Sequence, residues 1–104
     1  MTKLKRLTAI GVLALAFAGS ATMAFAFKGQ EYAKDANVTI AQARAIALKA
    51  APGKITDEEL EQERGGSGLR YSFDIKTDRA THEVGVDAKT GRVLENSIEG
   101  PHSD

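Results

Sequence analysis

The clearest alternation of apolar and polar residues in this chain runs from Leu69 to Thr77. Its apolar positions are Leu69, Tyr71, Phe73 and Ile75, and its polar positions are Arg70, Ser72, Asp74 and Lys76. Successive side chains of a strand point to opposite faces, so the pattern predicts a strand with one buried face and one solvent face. Weaker alternation predicts two more strands, over Thr81–Asp87 and Arg92–Ile98.

Ahead of these strands, apolar residues recur at helical spacing. One face of the predicted helix carries Ile40, Ala43, Ile46, Ala47 and Ala50. Thr39 and Gln42 fit a T-x-x-Q capping box, which predicts where the helix begins. Pro52-Gly53 ends it after about Ala51. Because most of these residues are alanines, the helix can lie close to a sheet.

The segment from Ile55 to Arg64 is consistent with two structures. Its glutamates favour a helix, and Thr56 with Glu59 fits a second capping box. As a strand, it would place Ile55 and Leu60 on the same inward face. These residues are five positions apart, so that strand would need a bulge.

Turn residues connect the predicted strands. Gly65–Gly68 (GGSG) is a flexible hairpin loop. In Asp87–Gly91 (DAKTG), Asp87 can accept hydrogen bonds from the amides that follow, and Gly91 can take the left-handed conformation. The predicted core consists of the apolar positions of the helix and of the strand at Leu69–Thr77, together with Leu60, Val84, Val86 and Leu94.

The first 26 residues have the pattern of an export signal. Lys3, Lys5 and Arg6 precede an apolar run from Leu7 to Ala18. Small residues in Ala24-Phe25-Ala26 predict cleavage after Ala26, with Ala24 as the alternative site. The run is too short to be interpreted as a spanning helix. The chain has no Cys, so the sequence predicts neither a disulfide nor a lipid anchor on Cys.

Removing the predicted signal changes the charge. The whole chain has 14 basic and 14 acidic residues, and loss of three basic ones leaves a net charge of −3. A mildly acidic domain lacks the positive patch that nucleic acids or anionic membranes require. The acidic run Asp57–Glu63 fits a solvated face, and it also fits a surface for a basic partner or a cation.

The sequence contains no recognisable catalytic or metal-binding constellation. His82 and His102 have no second ligand at a metal-site spacing. There is no Cys nucleophile and no G-x-S-x-G elbow. We therefore predict no catalytic residues, no metal site and no cofactor.

The order of helix, strands and DAKTG turn over Thr39–Leu94 resembles the PepSY domain. In that family an Asp, a Thr-Gly and a following basic residue close the last hairpin, which matches Asp87, Thr90, Gly91 and Arg92. The resemblance implies an α+β fold with one N-terminal helix packed on a three- to four-stranded antiparallel β-meander. It also implies a strand at Ile55–Arg64. Turn geometry explains Asp87, Thr90 and Gly91, so we interpret them first as structural residues and second as contact residues.

The resulting domain organisation has four parts. They are a signal peptide at 1–26, a flexible leader at 27–37, a PepSY-like domain at 38–99 and a disordered tail at 100–104. The leader is polar and aperiodic. After cleavage the protein is predicted to be periplasmic or secreted, without stable insertion in the membrane.

The resemblance also implies a function. PepSY domains resemble segments of secreted metallopeptidase propeptides, so we expect a non-catalytic module that binds an envelope or secreted protein. Because this chain carries no peptidase domain, inhibition of a peptidase would have to act in trans. The expected contacts are the polar residues of the strongest strand, Arg70, Ser72, Asp74 and Lys76. The family often has Tyr-Glu-Val in this strand, where this chain has Tyr71-Ser72-Phe73. If the Ser72 position contributes to recognition, this difference predicts a different partner.

Two alternative functions remain open at the level of sequence. The acidic run and the sheet face fit a sensor of cations or small ligands. A domain of this size without disulfides also gains from further burial, so a homodimer or a self-associating envelope protein is the other alternative.

Overall fold

The computed structural model of the protein describes residues 26–99. A 3-10 helix at Gln30–Asp35 precedes helix α1, Ile40–Ala50. Four strands follow, β1 at Lys54–Gln62, β2 at Leu69–Lys76, β3 at Thr81–Asp87 and β4 at Val93–Glu99. They form one antiparallel sheet in the order β1-β2-β3-β4. The predicted α+β fold, with one helix followed by an antiparallel meander, is confirmed.

Helix α1 begins at the predicted capping box. The Gln42 amide donates to Thr39 Oγ1 over 3.1 Å, and the Thr39 amide donates to Gln42 Oε1 over 2.9 Å. These bonds satisfy two amides that the first turn leaves without partners. Ala43 and Ala47 are fully buried against the sheet. Their small side chains explain how the helix approaches β2 and β3 closely.

The core between α1 and the sheet is built mainly by β2 and β3. Phe73, Ile75, Val84 and Val86 are buried there. The hydroxyl of Tyr71, also buried, donates to the carbonyl of Val38 over 2.7 Å and so satisfies its one polar group. That bond ties the segment before α1 to the middle of the sheet.

Leu94 was expected in the core but lies outside it. The pairing of β3 with β4 shifts register between Gly85, which faces Glu95, and Val86, which faces Val93. Leu94 is the extra residue in this bulge, so the simple alternation of the strand breaks there. Its methyl groups instead lie close to Gly66 in the β1–β2 loop.

Strand β1 confirms the strand interpretation of the acidic segment. Its register against β2 shifts between Ile55 and Asp57. This irregularity lets Ile55 and Leu60 both face α1, as the five-residue spacing requires. The local helix propensity of the glutamates is overridden because Leu60 is almost completely buried in the sheet.

Residues 27–37, predicted to be a flexible leader, are instead folded against the sheet. The Leu60 amide donates to the carbonyl of Lys28 over 2.8 Å, and Lys28 pairs with Glu59 in a short parallel bridge. The Phe27 ring lies 6.3 Å from the Tyr71 ring. These contacts are non-local, so the absence of local periodicity concealed them.

Two further parts of the predicted domain organisation concern the ends of the chain. The predicted signal up to residue 25 and the predicted tail at 100–104 lie outside the described residues. Between residues 26 and 99, none of the helices has the length and apolar character needed to cross a membrane.

Candidate binding surface

Helix α1 covers one face of the sheet, and the opposite face carries no helix among residues 26–99. We call this opposite surface the open face. Residues directly opposite each other in paired strands point to the same face, so the register defines its members. They are Lys54, Asp57, Glu59, Glu61, Arg70, Ser72, Asp74, Lys76, Thr81, Glu83, Gly85, Glu95, Ser97 and Glu99. Asp87, opposite Arg70, is buried and is not counted with them. The open face thus holds seven carboxylates and three cationic side chains.

The carboxylates of the open face are close enough to repel one another. Partial burial raises the pKa of Glu83, and the charges of Glu95, Asp74, Glu99 and Glu61 raise it further. Charges on the three other strands therefore contribute to the electrostatic field at this one side chain.

Asp74, the neighbour of Glu83 across the β2–β3 pair, is affected in the same way. Partial burial raises the pKa of Asp74, and the charge of Asp57 on β1 adds to the effect. Like charges on one face oppose folding, so fold stability alone does not account for this surface.

Arg70 lies flat across the open face and is almost buried, with 9% of its surface exposed. Its Nη1 is 3.3 Å from Glu95 Oε1, and its Nη2 donates to the carbonyl of Arg64 over 3.1 Å. The side chain passes over Gly85, where a Cβ atom would come within 3.2 Å of the Arg70 Cδ atom. Gly85 therefore creates the space in which Arg70 crosses from β2 to β4.

We expect Gly85→Ala to lower the free energy of unfolding by about 1 kcal/mol, because the added methyl group overpacks against Arg70. Chemical denaturation would measure the change. The control is the same substitution in an Arg70→Ala background, where the methyl group meets no guanidinium. An equal loss in both backgrounds would show that Arg70 does not occupy the space over Gly85.

The other three predicted contact residues also lie on the open face. Ser72 donates its hydroxyl proton to Glu61 Oε2 over 2.7 Å, Asp74 is half-buried, and Lys76 is exposed. The structure thus brings the four predicted residues together, although Arg70 presents little surface to a partner. Sequence reasoning did not identify the carboxylates of β3 and β4, because only the strand register places them on the same face as those of β1.

The predicted turn residues form a compact hydrogen-bond network around Asp87. This buried carboxylate accepts bonds from the amides of Ser67, Lys89 and Thr90 and from the Ser67 hydroxyl. Burial alone would raise the pKa of Asp87, but these bonds lower it to about 2. Gly91 has φ +82°, and its amide donates to the carbonyl of Asp87 over 2.8 Å. The network joins the β1–β2 loop to the β3–β4 turn.

A cavity of about 490 Å³ lies beside β1, between residues 26–28 and α1. The Arg44 and Glu58 side chains on its wall form a bidentate ion pair, with N–O distances of 2.9 and 2.7 Å. The charges of Arg44 and Glu58 therefore neutralise each other. Residues 26–99 contain no group of three or more His, Cys, Asp or Glu placed to hold a metal ion.

The sequence matches a family model described as PepSY, peptidase propeptide and YPEB domain, over residues 37–96. This match spans more than half of the chain and extends from the residues just before α1 into β4. The chain belongs to the PepSY family. Searches of curated proteins and of solved structures gave no significant match.

Membership of the PepSY family indicates the general class of this domain. PepSY domains are generally non-catalytic modules that resemble propeptides or inhibitors, and they occur in exported proteins. The family therefore suggests a regulatory or binding module resembling a peptidase propeptide. The docked residues 27–36 lie before the matched region.

Proposed function

We propose that this PepSY protein is an exported regulatory module that binds another protein of the cell envelope through its open face. The partner is a peptidase, which the module restrains in trans. The observation that supports this proposal most directly is the open face itself, with seven carboxylates drawn from all four strands. The family description, which names peptidase propeptides, supports the class of partner.

The energetics of the open face favour a role in binding. Partial burial and then repulsion raise the pKa of Glu83 and of Asp74, so the charged face reduces the stability of the free protein. Residues that oppose stability without an evident structural gain are expected at functional sites. A partner with complementary positive charge would relieve this repulsion on binding.

The proposed module acts by binding and not by turnover. The predicted signal at 1–26, which would be removed on export, supports a position outside the cytoplasm. A rigid sheet face loses little conformational freedom when it binds, which favours a stable inhibitory complex.

An inhibition assay tests the proposal directly. The protein, purified from its source organism, is titrated into the envelope and secreted fractions of the same organism, and hydrolysis of labelled casein is measured. We expect inhibition that increases with dose. Glu83→Lys should raise the half-inhibitory concentration about tenfold, equivalent to about 1.4 kcal/mol, because it reverses a charge on the open face.

The matched control is Glu31→Lys, which makes the same change at an exposed site in the 3-10 helix. Glu31→Lys should inhibit like the unchanged protein. Casein hydrolysis that stays constant up to a large molar excess would refute peptidase restraint. Equal weakening by the two variants would refute the role of the open face.

A further inference from the structure

We propose that the outer edge of β4 binds an extended segment of another protein in which basic and apolar residues alternate, so that the segment becomes a fifth strand. This inference rests on the proposed role as a binding module. It is more specific, because it names the edge, the conformation of the bound segment and its side-chain pattern.

The two edges of the sheet differ. At the β1 edge, the carbonyl of Lys28 accepts the Leu60 amide, so the leader already occupies part of that edge. At the β4 edge, no strand among residues 26–99 pairs with the outer side. Unpaired backbone groups of an edge strand are a template for a further strand.

The backbone bonds of β3 show which β4 amides point outward. The Asp87 amide donates toward β4, to the carbonyl of Arg92, whereas the Ala88 amide donates toward β2, to the carbonyl of Leu69. Alternate residues of an antiparallel strand bond to opposite neighbours, so Gly85 also bonds toward β4 and its partner Glu95 bonds inward. The same alternation leaves the amides of Asn96 and Ile98 pointing outward.

The side chains of β4 specify the pattern of the bound segment. Glu95 and Glu99 lie on the open face, close to Glu83. Ile98 lies on the other face with 66% of its surface exposed, and Val93 is exposed by 43%. Residues directly opposite each other share a face, so basic side chains would meet the glutamates and apolar ones would cover Ile98. The complement of β4 is therefore an alternating basic and apolar strand.

Charge argues against a second copy of this chain as the occupant. Pairing β4 with β4 of another copy would bring Glu95 and Glu99 of the two chains together on one face, which is unfavourable. Pairing β4 with a β1 edge would place these glutamates near Glu59, at an edge that Lys28 already contacts. The acidic edge thus disfavours self-association and accepts a basic segment.

Synthetic peptides of seven residues, the length of β4, test the inference. The probe is a labelled peptide with blocked ends in which lysine and valine alternate. A peptide with the same composition arranged in two blocks has the same charge but cannot separate the two side-chain types onto two faces. Fluorescence anisotropy should show about tenfold tighter binding of the alternating peptide. A third peptide, alternating glutamate and valine, should not bind.

Two variants test the edge itself. Ile98→Pro removes an outward amide but leaves the inward bonds of β4, since proline is tolerated at sheet edges. Ile98→Val keeps the amide and an apolar side chain. We expect Ile98→Pro to weaken the alternating peptide about tenfold and Ile98→Val to weaken it by less than about twofold.

Three other outcomes would contradict the inference, and each can be distinguished from failure of the proposed function. Equal binding of the alternating and block peptides, unaffected by Ile98→Pro, would show attraction by charge alone. A molecular mass that rises with concentration and falls in Ile98→Pro would identify a second copy as the occupant. Absence of peptide binding would exclude the edge, whereas the casein assay would still report separately on peptidase restraint.

Discussion

Replacing Asp87 with asparagine is expected to lower the free energy of unfolding at neutral pH by about 2 to 3 kcal/mol, because a buried charged acceptor is lost. The carboxylate accepts four bonds, from the amides of Ser67, Lys89 and Thr90 and from the Ser67 hydroxyl. An asparagine side chain must point its own amide group at some of these donors. The β1–β2 loop and the β3–β4 turn would then lose their common anchor.

The acid titration of Asp87 gives a second, independent measure of how much this network stabilises the fold. The pKa of Asp87 falls from an ordinary value of 3.8 to about 2 in the folded protein. At about 1.4 kcal/mol per pKa unit, this difference corresponds to roughly 2 to 3 kcal/mol of stability. Because the folded pKa is depressed, that stability is fully present above pH 4 and is lost as the pH falls toward 2.

The open face responds to acid in the opposite direction. The pKa values of Glu83 and Asp74 are raised in the folded protein, so it binds these protons more readily than the unfolded chain. Their protonation relieves repulsion and increases stability as the pH falls through these raised values. The difference between the unchanged protein and Asp87→Asn separates the two effects, since the open face is the same in both.

Urea denaturation at a series of pH values between 2 and 7 would measure these contributions. The matched control is Asp78→Asn, at an exposed position in the β2–β3 turn where the Thr77 hydroxyl supplies the local bonds. Asp78→Asn should change stability by less than about 0.5 kcal/mol. If Asp87→Asn were equally mild, or lost stability in acid as the unchanged protein does, the Asp87 network would not be intact in solution.

Much of the fold could be predicted from the sequence because its signals are local. The capping box of Thr39 and Gln42 forms as expected, and the alternation of β2 separates the buried residues from the polar ones. Local signals did not identify β1 as a strand. Its glutamates favour a helix locally, and only the family resemblance, together with the tolerance for a bulge near Ile55, pointed to a strand.

The features that the sequence did not reveal depend on contacts between distant residues. Leu94 leaves the core because of a bulge that depends on how β4 pairs with β3. Arg70 is almost buried because Gly85, fifteen positions later, leaves room for it. The acidic open face likewise depends on register, since the run at β1 supplies only some of its carboxylates.

The docked leader is the clearest case of such a contact, and it leads to the second large effect that we expect. Gly29 has φ +82°, and a Cβ atom there would overlap the carbonyl oxygen of Leu60. Gly29→Ala therefore combines a strained backbone with a clash against β1. We expect it to lower the free energy of unfolding by about 2 kcal/mol or more, or to release the leader from the sheet.

Gly68→Ala is the matched control for Gly29→Ala. Gly68 has φ +95°, but a Cβ atom there would meet nothing within 4 Å. This variant has the backbone strain without the clash, so it should lower the free energy of unfolding by about 1 kcal/mol. The difference between the two variants measures how much the contact of the leader with β1 contributes.

Hydrogen exchange would distinguish release of the leader from general unfolding. The Leu60 amide is bonded to the carbonyl of Lys28, so its protection depends on the leader. In Gly29→Ala this amide should exchange much faster, while the amide of Val84 in the core strand β3 stays protected. Equal exchange of Leu60 in Gly29→Ala and Gly68→Ala would show that the leader is not docked in solution. In that case the β1 edge would be open, and the contrast between the two edges that favours β4 as the binding edge would disappear.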